Sequence, residues 1–132
     1  MLVDTDVLSE FARPRPNAHV LAWAERLDRF TLSVVTVEEI WFGLRLKPNL
    51  RIERWFEAFL DRHAEVLPLT QAIATGAGRL RGILARKGLV RSQADMMIAA
   101  TAAEHCLPLA TRNVRHFAGC GIEIVNPFDA DD

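Results

Sequence analysis

Asp4 and Asp6 stand two residues apart directly behind the apolar pair Leu2-Val3. A short apolar run of this kind reads as a buried strand, and a strand that ends in a carboxylate delivers it to the rim of a sheet. Open α/β folds build their sites at that rim. Glu39, Asp95 and Asn113 each follow or adjoin a similar apolar segment. If the strands are parallel, their C-terminal ends share one edge with the N-termini of the helices that follow. Asp4 then follows the first strand, Glu39 lies one helical turn beyond the second, and Asn113 follows the fourth. Asp95 reaches the same edge only if its helix begins there. Three carboxylates and an amide meeting in one cleft would repel one another unless a cation is present. Oxygen ligands without His or Cys suit Mg²⁺ or Mn²⁺ rather than zinc. Such an ion keeps open positions, grips a phosphate and lowers the pKa of an attacking water, so phosphodiester hydrolysis is the favoured chemistry.

Each residue also has a plain structural explanation. Thr36-Val37-Glu38-Glu39 fits a capping box, and Ser92-Gln93-Ala94-Asp95 fits another. Asp4 or Asp6 would serve to cap the first helix, and Asn113 a turn after the fourth strand. What favours chemistry is that all of them would fall along one edge if the helix of Asp95 begins there. A second enzyme reading also starts from Asp4-Thr5-Asp6, which imitates the nucleophile motif of haloacid-dehalogenase phosphohydrolases. That motif continues with Thr where this chain has Leu8, and it needs a later Lys, for which only Lys47 and Lys87 are available.

The elements that must position these residues follow from patterning. Leu2-Val3 is a first strand, and Val7 to Phe11 a short helix stopped by Pro14-Arg15-Pro16. Asn17 caps a helix with Val20, Leu21, Trp23, Ala24 and Leu27 at helical spacing. Thr31 to Val35 is a β-branched second strand. A helix starts at Thr36 and ends near Lys47-Pro48-Asn49, and another runs from Arg51 to Arg62. Val66 to Leu69 is a third strand, with Pro68 marking its end or a sheet edge. Thr70 to Ala85 is helical and Gly88 closes it. Ser92 caps a helix over Gln93 to His105, followed by strands at Leu107 to Ala110 and Ile122 to Val125. Strands alternating with helices predict an α/β fold: a three-layer α/β/α sandwich around a mainly parallel sheet of four to five strands.

The 132 residues predict one domain, 1–132, half hydrophobic and a quarter charged. No apolar run approaches the roughly 20 residues that span a membrane, and the opening is unlike a signal peptide, so a cytoplasmic chain is the expectation. Cys106 and Cys120 alone support neither a disulfide framework nor structural zinc. The net charge of −1 hides an uneven distribution: Asp129, Asp131 and Asp132 lie in the last four residues, which leaves the rest at +2. Fourteen of the 16 basic residues are Arg, and Arg79, Arg81, Arg86, Lys87 and Arg91 cluster within thirteen positions. Such a cluster is either a solvated helix face or, because Arg pairs bidentately with phosphate, a contact for a nucleic-acid backbone, a role for which Arg112 and Arg115 are the other candidates.

Four segments together resemble PIN domains, and more narrowly the VapC/FitB-type toxins of type II toxin–antitoxin pairs. They are Leu2-Val3-Asp4-Thr5-Asp6-Val7-Leu8-Ser9-Glu10, Ser33 to Ile40, Asp95 to Ala102 and Ala110 to Phe117, and the ending Asn126-Pro127-Phe128 adds to the likeness. The resemblance implies a Mg²⁺- or Mn²⁺-dependent endoribonuclease with Asp4, Glu39 and Asp95 as metal-holding acids. Glu39 takes that role over Glu38 because it stands three residues after the Thr. Thr111 and Asn113 fall on the last catalytic motif, where Asn113 replaces a frequent Asp and puts a second tightly bound metal in doubt. Asp6 stands where the family often has Asn and reads as a helix cap or a supporting group. The resemblance further implies an RNA substrate, a homodimer, and a VapB/FitA-like antitoxin whose C-terminal segment lies in a groove and through which promoter DNA is bound. Trp41, Phe42 and Leu44 are candidates for groove, dimer surface or plain core. A PIN domain weakened by Asn113 and acting only as a binding partner is the remaining alternative.

Overall fold

Residues 1–129 are described in a computed structural model; the acids Asp131 and Asp132 singled out above lie outside them. The elements are β1 (Leu2–Val3), α1 (Thr5–Glu10), α2 (Ala18–Ala24), β2 (Phe30–Ser33), α3 (Val34–Leu46), α4 (Leu50–Arg62), β3 (Ala64–Leu67), α5 (Gln71–Arg86), α6 (Gln93–Glu104), β4 (Leu109–Ala110) and β5 (Ile124–Val125). A 3₁₀ turn, Val114–Phe117, lies between β4 and β5. The five strands form one sheet in the order β3-β2-β1-β4-β5, every pair parallel. The chain steps outward from β1 to β3, then crosses back to lay β4 and β5 on the other side of β1. The order therefore reverses at β1, and crevices beside such a reversal are where open sheets place ligands.

Leu2 and Val3 are both fully buried and belong to different cores, as the two-residue period of a strand requires. On the Leu2 side α5 and α6 pack through small residues. Gly76 lies so close to α6 that a Cβ there would stand 3.7 Å from that of Ala100. On the Val3 side the packing is aromatic: Phe30 meets Phe59 with ring centroids 5.2 Å apart, and Trp41 meets Phe56 at 5.9 Å. Helices thus cover both faces of the sheet, the predicted sandwich.

Several boundaries differ from the sequence expectation. The second strand ends at Ser33 and α3 begins at Val34, before the expected Thr36, because the Ser33 hydroxyl accepts the Val35 amide (3.1 Å) and caps the helix. The β-branched Val34 and Val35 mimic a strand; capping and burial of Val35 override that preference. The third strand is shifted two residues earlier, so Pro68 follows it, and it lies at the edge of the sheet. Strands β4 and β5 are each two residues long. Trp41 is half-buried and Leu44 buried, whereas Phe42 is 64% exposed. Among the described residues no helix is long and apolar enough to cross a membrane.

Candidate active site

Strand β1 ends in Asp4, whose extended backbone makes it the N-cap of α1. One carboxylate oxygen accepts the Thr5 amide (2.8 Å) and the other the Thr111 hydroxyl (2.8 Å). Thr111 follows β4, the strand beside β1, and the Asp4 amide donates to Ala110 O (2.9 Å). Asp4 is only 5% exposed, and burial pushes its carboxyl up to about 7. The negative charge of Asp6, and to a lesser degree that of Asp95, adds to the rise, while the bonds from Thr111 and Thr5 oppose it.

Asp6 does not cap α1, since Asp4 holds that position. Its Oδ2 accepts the Arg112 amide (3.0 Å) and lies 3.5 Å from the Thr111 hydroxyl, while Oδ1 is buried without a hydrogen-bond partner. Burial raises its pKa as well. Asp6 therefore ties the loop after β4 to the start of α1.

Glu39 forms no capping box, because Ser33 rather than Thr36 is the N-cap. Its Oε1 accepts the Thr5 hydroxyl (2.7 Å), and Thr5 Oγ1 also lies 3.3 Å from Thr36 Oγ1. Burial raises the Glu39 pKa, with Asp95, Glu38 and Asp6 adding repulsion. Asp95 keeps half of its box: its amide donates to Ser92 Oγ (3.1 Å), but its carboxylate faces His116 Nδ1 at 3.3 Å. Because Asp95 acts on both Asp4 and Glu39, α6 does begin at the shared edge. Asn113 is exposed; its amide donates to Thr111 Oγ1 (3.0 Å), and its side chain makes no capping bond.

Asp4, Asp6, Glu39, Asp95 and Thr111 thus come together, and Asn113 stands at the rim through its backbone. Thr5, Thr36 and His116 also belong to the arrangement and escaped sequence reasoning. Thr5 sits inside the opening motif, where only the two flanking acids drew attention, and nothing in the spacing linked His116 to Asp95. The basic cluster divides: Arg79, Arg81, Arg86 and Lys87 are exposed, but Arg91 donates to the carbonyls of Arg115 and of Ala118 (3.1 Å). Beside the acids runs a groove of about 740 Å³, with Thr5 and Glu39 among its lining and Leu8, Ile40, Trp55 and Phe56 on its apolar walls.

Among the described residues no three His, Cys, Asp or Glu side chains are grouped tightly enough to enclose a metal ion. The donor chemistry nevertheless fits a hard divalent cation. The acids and threonines supply oxygen, with His116 Nδ1 set against Asp95 at 3.3 Å; three of the carboxylates are pushed toward their protonated form, and the buried Asp6 Oδ1 is orphaned.

The sequence model of the PIN domain matches residues 1–119. The chain belongs to the PIN domain family. Toxin FitB of Neisseria gonorrhoeae is 35% identical over 136 residues, covering 97% of this chain and 98% of the relative. VapC ribonuclease Y4jK of Sinorhizobium fredii is 32% identical over 137 residues, covering 98% of each. Among solved structures, that of FitAB bound to the IR36 DNA fragment superposes with a TM-score of 0.85 at 30% identity, covering 99% of this chain and 97% of the other. These matches run over nearly the whole chain, and the superposition shows that this PIN domain shares its fold with the solved structure.

Proposed function

We propose that this protein is a Mg²⁺- or Mn²⁺-dependent endoribonuclease, the toxin of a type II toxin–antitoxin pair, acting as one domain over residues 1–132. The observation that carries the reading is Asp4: a carboxylate fixed by Thr5 and Thr111 at the strand-order reversal, in the company of Asp6, Glu39 and Asp95. The relatives bearing the names toxin and ribonuclease supply the reaction class and biological role.

In this reading Asp4, Glu39 and Asp95 would hold the ion, which would supply positive charge against the phosphate and lower the pKa of an attacking water. Thr111 and Thr5 fix the orientation of Asp4 and Glu39, which spares the site that reorganisation during the reaction. Asp6 holds the backbone at Arg112, and with it the loop that carries Thr111. Both oxygens of Asp4 accept hydrogen bonds, which suits a fixed ligand better than the free nucleophile of a phosphohydrolase. The groove beside Thr5 and Glu39 is the place for an antitoxin segment, with promoter DNA bound through that antitoxin. The exposed Phe42 is offered to a second copy of the chain.

The decisive experiment combines cleavage of total RNA by the purified protein with Mn²⁺ calorimetry. Cleavage that needs Mg²⁺ or Mn²⁺, is lost in Asp95→Asn and is suppressed by the antitoxin supports the reading. A folded protein that binds no Mn²⁺ at millimolar concentration and leaves RNA intact is instead the binding-only PIN domain.

A further inference from the structure

The ending Asn126-Pro127-Phe128 takes no part in the acid cluster, yet it folds beside it. Thr111 N donates to Val125 O (2.9 Å), so β5 leads from its pairing with the active-site loop straight into this motif. Asn126 Oδ1 accepts the Phe128 amide (3.0 Å), and the Asp129 amide returns to Asn126 O (3.2 Å). That turn fixes the Phe128 ring, which is half-buried against the aromatic core. The Arg112 guanidinium lies over the ring, 4.6 Å from its centroid.

Arg112 is the residue after Thr111, and its own amide is bonded to Asp6. Coulomb attraction would draw a long, flexible cation in that position onto the neighbouring acids. Its head instead lies over the Phe128 ring, and among the described residues it forms no ion pair. A guanidinium held by an aromatic ring keeps N–H groups for another partner, and two of them side by side can grip a phosphate with parallel hydrogen bonds. The residue is exposed, so those groups are accessible.

We propose that Arg112, held over Phe128, is a docking point for a backbone phosphate of single-stranded RNA beside the scissile bond, with Phe128 as its positioning residue. The inference rests on the ribonuclease reading for its choice of RNA. A phosphate is favoured over a partner protein's carboxylate because the guanidinium sits beside the acids assigned to phosphodiester chemistry.

The test measures cleavage kinetics, together with anisotropy of a short fluorescein-labelled single-stranded RNA in Ca²⁺ over a series of salt concentrations. Arg112→Ala is expected to raise KM about tenfold with kcat within about twofold. It should also reduce the slope of log K against log salt by about 0.7, the loss of one single-strand phosphate contact. Arg112→Lys keeps the charge but loses the planar guanidinium, and should recover only part of the affinity. Phe128→Leu should raise KM about threefold, Phe128→Trp should restore it, and Phe128→Leu should add nothing once Arg112 is Ala. Melting temperatures of the Phe128 variants separate positioning from core packing. An unchanged salt slope in Arg112→Ala overturns the proposal. So does an additive effect of Phe128→Leu in the Arg112→Ala background, or a loss confined to antitoxin binding. If the wild type binds the RNA without cleaving it, the ribonuclease reading fails while the binding series still decides the role of Arg112. If it binds no RNA, both fail.

Discussion

Helix α1 carries a buried acid at each end, and the two are treated in opposite ways. Asp4, before its first turn, and Glu10, in its last, are both 5% exposed. Glu10 is compensated: Oε2 accepts the Asn17 amide (2.8 Å) and Oε1 lies 3.3 Å from Arg13. Asp4 has two neutral donors but no cation, and its charged neighbours are further acids. Burial is therefore no guide to purpose in this chain. The acid whose charge is answered by its surroundings holds a turn together, whereas the one left in like company is, in the proposed function, the place for a cation.

The largest expected effect tests that contrast directly. Asp4→Asn and Asp95→Asn should each lower RNA cleavage by about a thousandfold, with the melting temperature at pH 7 unchanged or raised. Glu10→Ala should do the reverse, costing about 1–3 kcal/mol of stability while activity per folded molecule persists. Cleavage assays paired with thermal melts read both, and a destabilised but active Asp4→Asn would erase the distinction.

The dependence on pH sharpens it. Asp4 is raised from 3.8 to about 7, so between those values the folded state binds more protons than the unfolded state. Stability from this group is full at low pH, falls as pH rises through that window and is level above it. Asp4→Asn should flatten the fall. Mn²⁺ competes with the proton, so it should raise the wild-type melting temperature more at pH 8 than at pH 5, and Asp4→Asn should lose most of that gain. Melting curves at the two pH values check both points.

Smaller effects belong to the groups that hold the acids. Thr111→Val removes the hydroxyl given to Asp4 and should reduce kcat about tenfold. Asn113→Ala, which leaves the backbone bond to Thr111 in place, should change kcat by no more than about twofold. A kcat loss in Asn113→Ala as large as in Thr111→Val would return Asn113 to the centre of the site.

Local residue types were enough to find the sheet, its parallel sense and the edge at which Asp4, Glu39 and Asp95 lie, because strand ends and helix starts are marked by caps and apolar runs. What they misplaced is where two local signals compete. Val34 and Val35 read as strand until the Ser33 hydroxyl captures the Val35 amide. The competing explanation of Glu39 as a cap fell away only when its partner proved to be Thr5, 34 residues away in sequence. The pairing of Asp95 with His116, and of Arg112 with Phe128, had no local signature at all. Contacts of that kind are fixed only by how layers stack, which periodicity does not encode.

The bond between Thr111 and Asp4 spans 107 residues. Asp4 is translated 107 residues before its partner, and its strand has a neighbour on one side only until β4 has been made. Parallel strands so distant in sequence are slow to pair, since loop closure must come first. The bond that fixes Asp4 therefore cannot form until β4 and Thr111 have been made.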